Sequence, residues 1–112
     1  QRMKMAIPVP KYIQRAARKG LSYVGQGLGG RGLRDETIRE ARRLARGRIT
    51  LDKAKRMRAW LARHDVDLDA PRNDPNHPDY PGPGAVARLL WGSDPRDPDR
   101  TVNWLNRVLR ER

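Results

Sequence analysis

The stretch TIREARRLARGRITLDKAKRMRAWLAR, from Thr37 to Arg63, decides the fold. Ile38, Ala41, Leu44 and Ala45 recur at steps of three and four residues, and so do Leu51, Ala54, Met57 and Leu61. That spacing lays each set along one side of an α-helix, whose turn takes about 3.6 residues. Only Gly47, Arg48 and Ile49 separate the two runs, with Gly47 suited to stopping the first helix and Thr50 to capping the second. Thr37 and Glu40 read as a capping box for the first helix, with Asp35 as a competing cap. Two short helices joined by so brief a glycine-containing turn predict a helix–turn–helix-like pair over 37–63.

The same reasoning extends outward from this pair. Ile13, Ala16, Ala17, Gly20, Leu21 and Val24 form another helical stripe, which begins near Pro10 and ends in a run with five glycines between Gly25 and Gly32. Pro8 and Pro10 bias the residues before them away from helix, so 1–9 is expected as an extended arm. Residues 64–83 are acidic and proline-rich, with Tyr80 expected to pack this connector down. A short helix of little polar surface follows at 84–91, bearing Ala85, Val86, Leu89 and Leu90 and stopped by Gly92. Asp97 and Pro98 suit the start of a last helix, with Val102, Leu105, Val108 and Leu109 facing inward. With no convincing strand, the expectation is all-α: a single domain over 10–112, built as a compact bundle of about five helices.

Charge points to the partner. The 112 residues carry 25 Lys and Arg against 13 Asp and Glu, a formal net charge of +12, and 20 of the cations are arginine. The excess is local: 1–63 holds 18 cations and four acids, 64–99 holds three and eight, and 100–112 holds four and one. Concentrated positive charge repels itself unless an anion neutralises it, and phosphate polymers also release counterions on binding. Arginine adds a planar fork that matches phosphate or a guanine edge. The candidate nucleic-acid-binding residues are therefore Arg15, Lys19, Arg31, Arg34, Arg39, Arg42, Arg43, Arg46, Arg48, Lys53, Arg56, Trp60 and Arg63. Trp60 joins them because it alone of the three tryptophans flanks basic residues and is placed to stack on a base; Trp91 and Trp104 read as core anchors.

Other chemistry finds less support. Aligning Gly47 with the glycine of the bacterial DNA-reading motif puts Arg43 and Arg48 where small and apolar residues belong, so phosphate contact is favoured over base reading. Gly25, Gly27 and Gly30 match a dinucleotide-binding pattern by letter, but a helical stripe precedes them instead of a strand. A looser role remains, in which the loop amides with Arg31 and Arg34 hold a phosphate. Asp65, Asp67 and Asp69 open like a calcium loop, yet Ala70 and Asn76 stand where glycine and glutamate are needed, so no metal site is assigned. These acids are expected instead to cap helices and fold back on the arginines. With no cysteine, two histidines and only Ser22 and Ser93 as serines, no catalytic set, disulfide or cofactor is assigned. No apolar run approaches the length of a membrane span, and the patch after Lys4 is too brief for a signal-peptide core. A start at Gln1 rather than methionine points to a processed or trimmed chain.

The segments Ala17-Arg-Lys-Gly-Leu21, Thr37-Ile-Arg-Glu-Ala-Arg42, Asp52-Lys53, Arg56-Met57, Ala59-Trp60, Ala62-Arg-His64, His77-Pro-Asp-Tyr-Pro-Gly82 and Leu90-Trp-Gly92 together resemble a small uncharacterised domain of tailed bacteriophages, found beside or joined to head-maturation proteins. The resemblance runs from about Pro10 to Asp94 and brings no activity with it. It implies a phage setting, in bacterial host cytoplasm or the virion. The arginines at 39–48 are denser than such domains usually carry, which favours a nucleic-acid partner, DNA first. Two alternatives stay open: a structural or interaction module that docks on an acidic protein surface such as a phage head or replication component, and a small metal-dependent nuclease.

Overall fold

The computed structural model describes residues 6–111, and the first five residues of the expected arm lie outside them. Among the described residues the chain is all-α apart from one two-stranded ribbon. In order it runs β1 (Ile7–Pro8), α1 (Lys11–Gly25), α2 (Asp35–Ala45), β2 (Arg48–Ile49), α3 (Leu51–Arg63), α4 (Pro83–Leu90) and α5 (Pro98–Arg110).

The periodic stripes become the core. Ile13 and Ala17 of α1, Leu44 of α2, Ala54, Met57 and Leu61 of α3, and Leu105 and Val108 of α5 close on one another as the main cluster. Ala41, Val86 and Leu90 form a second, flanked by Leu21, Tyr23, Val24, Leu33 and Ile38. Helix α1 lies against both α2 and α4, and α3 lies against α5. The α1–α4 approach is close enough that a Cβ on Gly20 would stand 2.9 Å from the Leu90 amide nitrogen.

Some local expectations are corrected. Residues at the arm's end are not free: Ile7 and Pro8 pair antiparallel with Ile49 and Arg48, and Ile7 and Val9 are buried. The link between α2 and α3 is therefore a strand held by the N-terminal segment and not a bare turn. Helix α2 begins at Asp35 behind Arg34, with no side-chain cap, so Thr37 and Glu40 do not form the expected capping box. Thr50 does cap α3, its hydroxyl accepting from the Lys53 amide at 3.0 Å. Asp97 precedes α5 without a side-chain capping bond, while Pro98 takes the first turn.

The connector is ordered by its polar groups. It forms short 3₁₀ helices at Asp65–Asp69 and Pro71–Asn73, reaches a cis Tyr80–Pro81 bond, and packs Tyr80 edge-on against Tyr23 at 6.5 Å. Burial, with Asp94 nearby, pushes the Tyr80 hydroxyl up to about 12. Asn73 is buried and works in both directions: its Nδ2 donates to the Asp67 carbonyl at 2.7 Å, and its Oδ1 accepts from the Ala85 amide at 2.9 Å. Asn73 thus caps α4 from a distant part of the chain, where Gly82 offers no side chain. Replacing Asn73 by alanine is expected to cost about 2 kcal/mol, because a buried amide and a partly buried carbonyl lose their partner at once. Denaturant unfolding at neutral pH checks this value.

Arg88 supplies the other polar tie. It is almost wholly buried, donating from Nε to Ser93 Oγ at 3.1 Å and from Nη2 to the Pro98 carbonyl at 3.1 Å, with Asp65 Oδ1 3.8 Å away. Among the described residues, Arg88 is the one arginine that an acid of the connector reaches. The expected folding of the acidic segment onto the arginines of the first half is not seen as any ion pair among the described residues.

Candidate nucleic-acid interface

The helical stripes that bury the apolar residues push their cations outward. Arg15 and Lys19 on α1, Arg39, Arg42 and Arg43 on α2, Arg31 and Arg34 in the loop before it, Arg46 and Arg48 after it, and Arg63 at the end of α3 are all exposed. Among the described residues none of these has a carboxylate within ion-pair distance.

Three depressions gather many of them. One, of about 440 Å³, runs between α1 and the start of α5 and is lined by Arg15, Arg18, Lys19, Arg96 and Arg100 together with Asp94 and Asp97. Arg18 is steadied there by donating to the Ala45 carbonyl at 2.9 Å, and Arg100 lies 3.7 Å from the centre of the Tyr12 ring. A small hollow of about 110 Å³ at the start of α3 brings Arg43, Arg48, Lys53 and Arg56 around Glu40. The last, of about 490 Å³, sets Arg34 opposite Trp60, Arg63 and His64. Arg31, Arg39, Arg42 and Arg46 line none of these three.

Two candidates are spoken for. Lys53 is buried, not a surface contact: Nζ lies 2.6 Å from Glu40 Oε1 and 4.0 Å from the centre of the Trp91 ring. Arg56 remains half-exposed but binds Glu40 at 3.0 Å and Asp52 at 3.0 Å. The cause is Glu40, which the sequence suggested as a helix cap and which instead links α2 to α3. Burial alone would raise its carboxyl, but hydrogen bonds and charge from Lys53 and Arg56 outweigh that and hold it below its ordinary 4.5. Burial likewise draws Lys53 below its usual range despite the attraction of Glu40.

Because the folded value of Glu40 is depressed, its contribution is fully present above about pH 4.5 and is lost as pH falls through the lowered value. Glu40→Gln should therefore destabilise the protein by about 2 to 3 kcal/mol at neutral pH, since it leaves the Lys53 charge buried without a carboxylate. The gap between variant and parent should close on acidification. Melting temperatures of both proteins across pH 3 to 7 test it.

Trp60 is also engaged. Its ring stacks on His64 at 4.1 Å and 20° and on Trp91 at 5.1 Å and 10°, so it has two ring partners before any ligand arrives. His64, Arg96 and Arg100 line these depressions without being among the residues predicted from sequence, the two arginines because they lie outside the basic half. The positive charge of 100–112 was the available signal for Arg100. Among the described residues no three histidine or acidic side chains converge as a metal site would require, and no helix is long and apolar enough to cross a membrane.

No family model, curated protein or solved structure matches the chain.

Proposed function

We propose that this protein is a phage-type accessory protein that binds nucleic acid, DNA first, through arginine–phosphate contacts. The observation that carries the reading is the set of exposed arginines from Arg31 to Arg48, and Arg63, which have no acid partner among the described residues. Proteins commonly soften a dense cationic surface with interleaved acids. Here no acid of 64–83 pairs with these arginines among the described residues, and Glu40 and Asp52 are taken up by Lys53 and Arg56. An uncompensated surface of this kind gains most from a polyanion, because each phosphate neutralised also releases condensed counterions. The tailed-phage setting belongs to the same proposal and rests on the motif resemblance.

Fluorescence anisotropy with labelled DNA tests the reading. Binding in the micromolar range or tighter is expected at about 50 mM salt, weakening steeply at about 200 mM. If no binding is seen at low salt, and if the native complex with a protein partner survives nuclease digestion, the arginines serve an acidic protein surface instead.

A further inference from the structure

The groove beside Trp60 differs from the other basic depressions, because its wall is aromatic. Lys53, Trp60 and His64 stand at positions i, i+7 and i+11 of α3 and its C-cap, so they follow one another along the same side of the helix. Trp91 fits between the first two, 4.0 Å from the Lys53 ammonium and 5.1 Å from the Trp60 ring. The result is a column in the order Lys53, Trp91, Trp60, His64. An ammonium closes one end. The other ends on the His64 ring, whose side chain is 39% exposed and whose Nδ1 is held 3.0 Å from Asp67 Oδ2.

Two cations, Arg34 and Arg63, line the cleft at that end, where the one nearby carboxylate is the Asp67 side chain held on His64. The cleft of about 490 Å³ is bounded by Gly32, Leu33, Arg34 and Thr37 on one side and by Trp60, Arg63, His64 and Trp91 on the other, with no carboxylate in its lining. Arg34 and Arg63 are exposed and have no acid partner among the described residues. The cleft continues past Gly30 and Gly84 into a further 260 Å³ that shares Trp60 and His64 and has Asp67 in its wall. A pinned aromatic ring that shares a cleft with two guanidiniums suits a ligand with a flat π-face next to a negative charge. A nucleotide has that chemistry, and in a duplex its base is already stacked and paired on both sides.

We propose that this groove takes an unpaired nucleotide of a single strand, its base extending the stack on His64 and its phosphate held by Arg34 and Arg63. The proposal rests on the nucleic-acid reading above and narrows it to single-stranded segments. Base–aromatic stacking tolerates any sequence, as a strand gripped mainly by its phosphates requires.

The probes are oligothymidylate and a duplex of equal length, followed by anisotropy and by intrinsic tryptophan emission. Oligothymidylate is expected to quench the emission of Trp60 and Trp91, and the duplex to leave it nearly unchanged. His64→Ala should weaken single-strand binding about tenfold without changing duplex affinity, and His64→Phe should restore it. Arg63→Gln should weaken the single strand more than the duplex. Near-ultraviolet circular dichroism of each variant confirms that the Trp60–Trp91 pair is kept. Equal binding of both probes, with no quenching and no effect of His64→Ala, overturns the groove proposal and leaves phosphate binding standing. Failure of the parent protein to bind either probe overturns both.

Discussion

The variant Arg39→Gln/Arg42→Gln/Arg43→Gln/Arg46→Gln is expected to lose about a thousandfold in DNA affinity at low salt while keeping its fold. All four side chains are exposed and make no ion pair among the described residues, so removing their charge disturbs no internal partner. Each phosphate contact contributes roughly [salt] to the power −0.9 to the binding constant, so four contacts at about 50 mM salt are worth up to about 5 × 10⁴. The expected loss is smaller because neighbouring arginines share phosphates. Glutamine is preferred to glutamate, since Arg42 and Arg43 lie in the last turn of α2 and an acid there would oppose the helix dipole. Anisotropy gives the affinity and thermal melting checks the fold. A loss below about fivefold would move the binding surface off α2.

Gly92→Ala should cost about 3 kcal/mol, a large loss for the addition of one methyl group. Gly92 ends α4 with φ of +90°, in the region where a side chain collides with its own backbone. Its position makes matters worse. A Cβ there would stand 2.8 Å from Ile13 Cγ2 and 2.9 Å from Leu44 Cδ2, so α1 and α2 would both have to yield. The Gly92 carbonyl also accepts from the Thr101 hydroxyl at 2.7 Å, which ties the same turn to α5. A shift of this turn would therefore spread through the main core. Urea unfolding measures the loss, and a value under about 1 kcal/mol would mean that the core is looser at this junction than its packing implies.

These two sites also show what could be read in advance. Gly92 was legible as a helix stop because a run of apolar residues ends at it, and the stripes through Ile13, Leu44, Met57 and Leu105 were legible from their spacing alone. Thr50 was legible as a cap because its hydroxyl needs only a neighbour three residues away. What could not be read depends on partners far along the chain. Two-residue strands carry no period, so the pairing of Ile7 with Ile49 left no trace. Lys53 looks like one more cation on a helix until Glu40 and Trp91 are seen around it. Arg88 sits in an apolar run with no local sign that Ser93 and the Pro98 carbonyl will receive it.

The interface divides in the same way. The exposure of Arg39, Arg42 and Arg46 follows from the apolar stripe of α2, because cations off that stripe must face water. The meeting of Arg34 with Trp60 and Arg63 in one cleft required the fold, since it brings the loop before α2 against the end of α3. Lys53 left the surface set for the same reason.

The central claim is that the exposed arginines bind phosphate, and the salt dependence of DNA affinity tests it most directly. A plot of log affinity against log salt should be linear and steep, with a slope near −5 and a fall of about 10³ between about 50 and 200 mM. A change of less than about threefold over that range would contradict it.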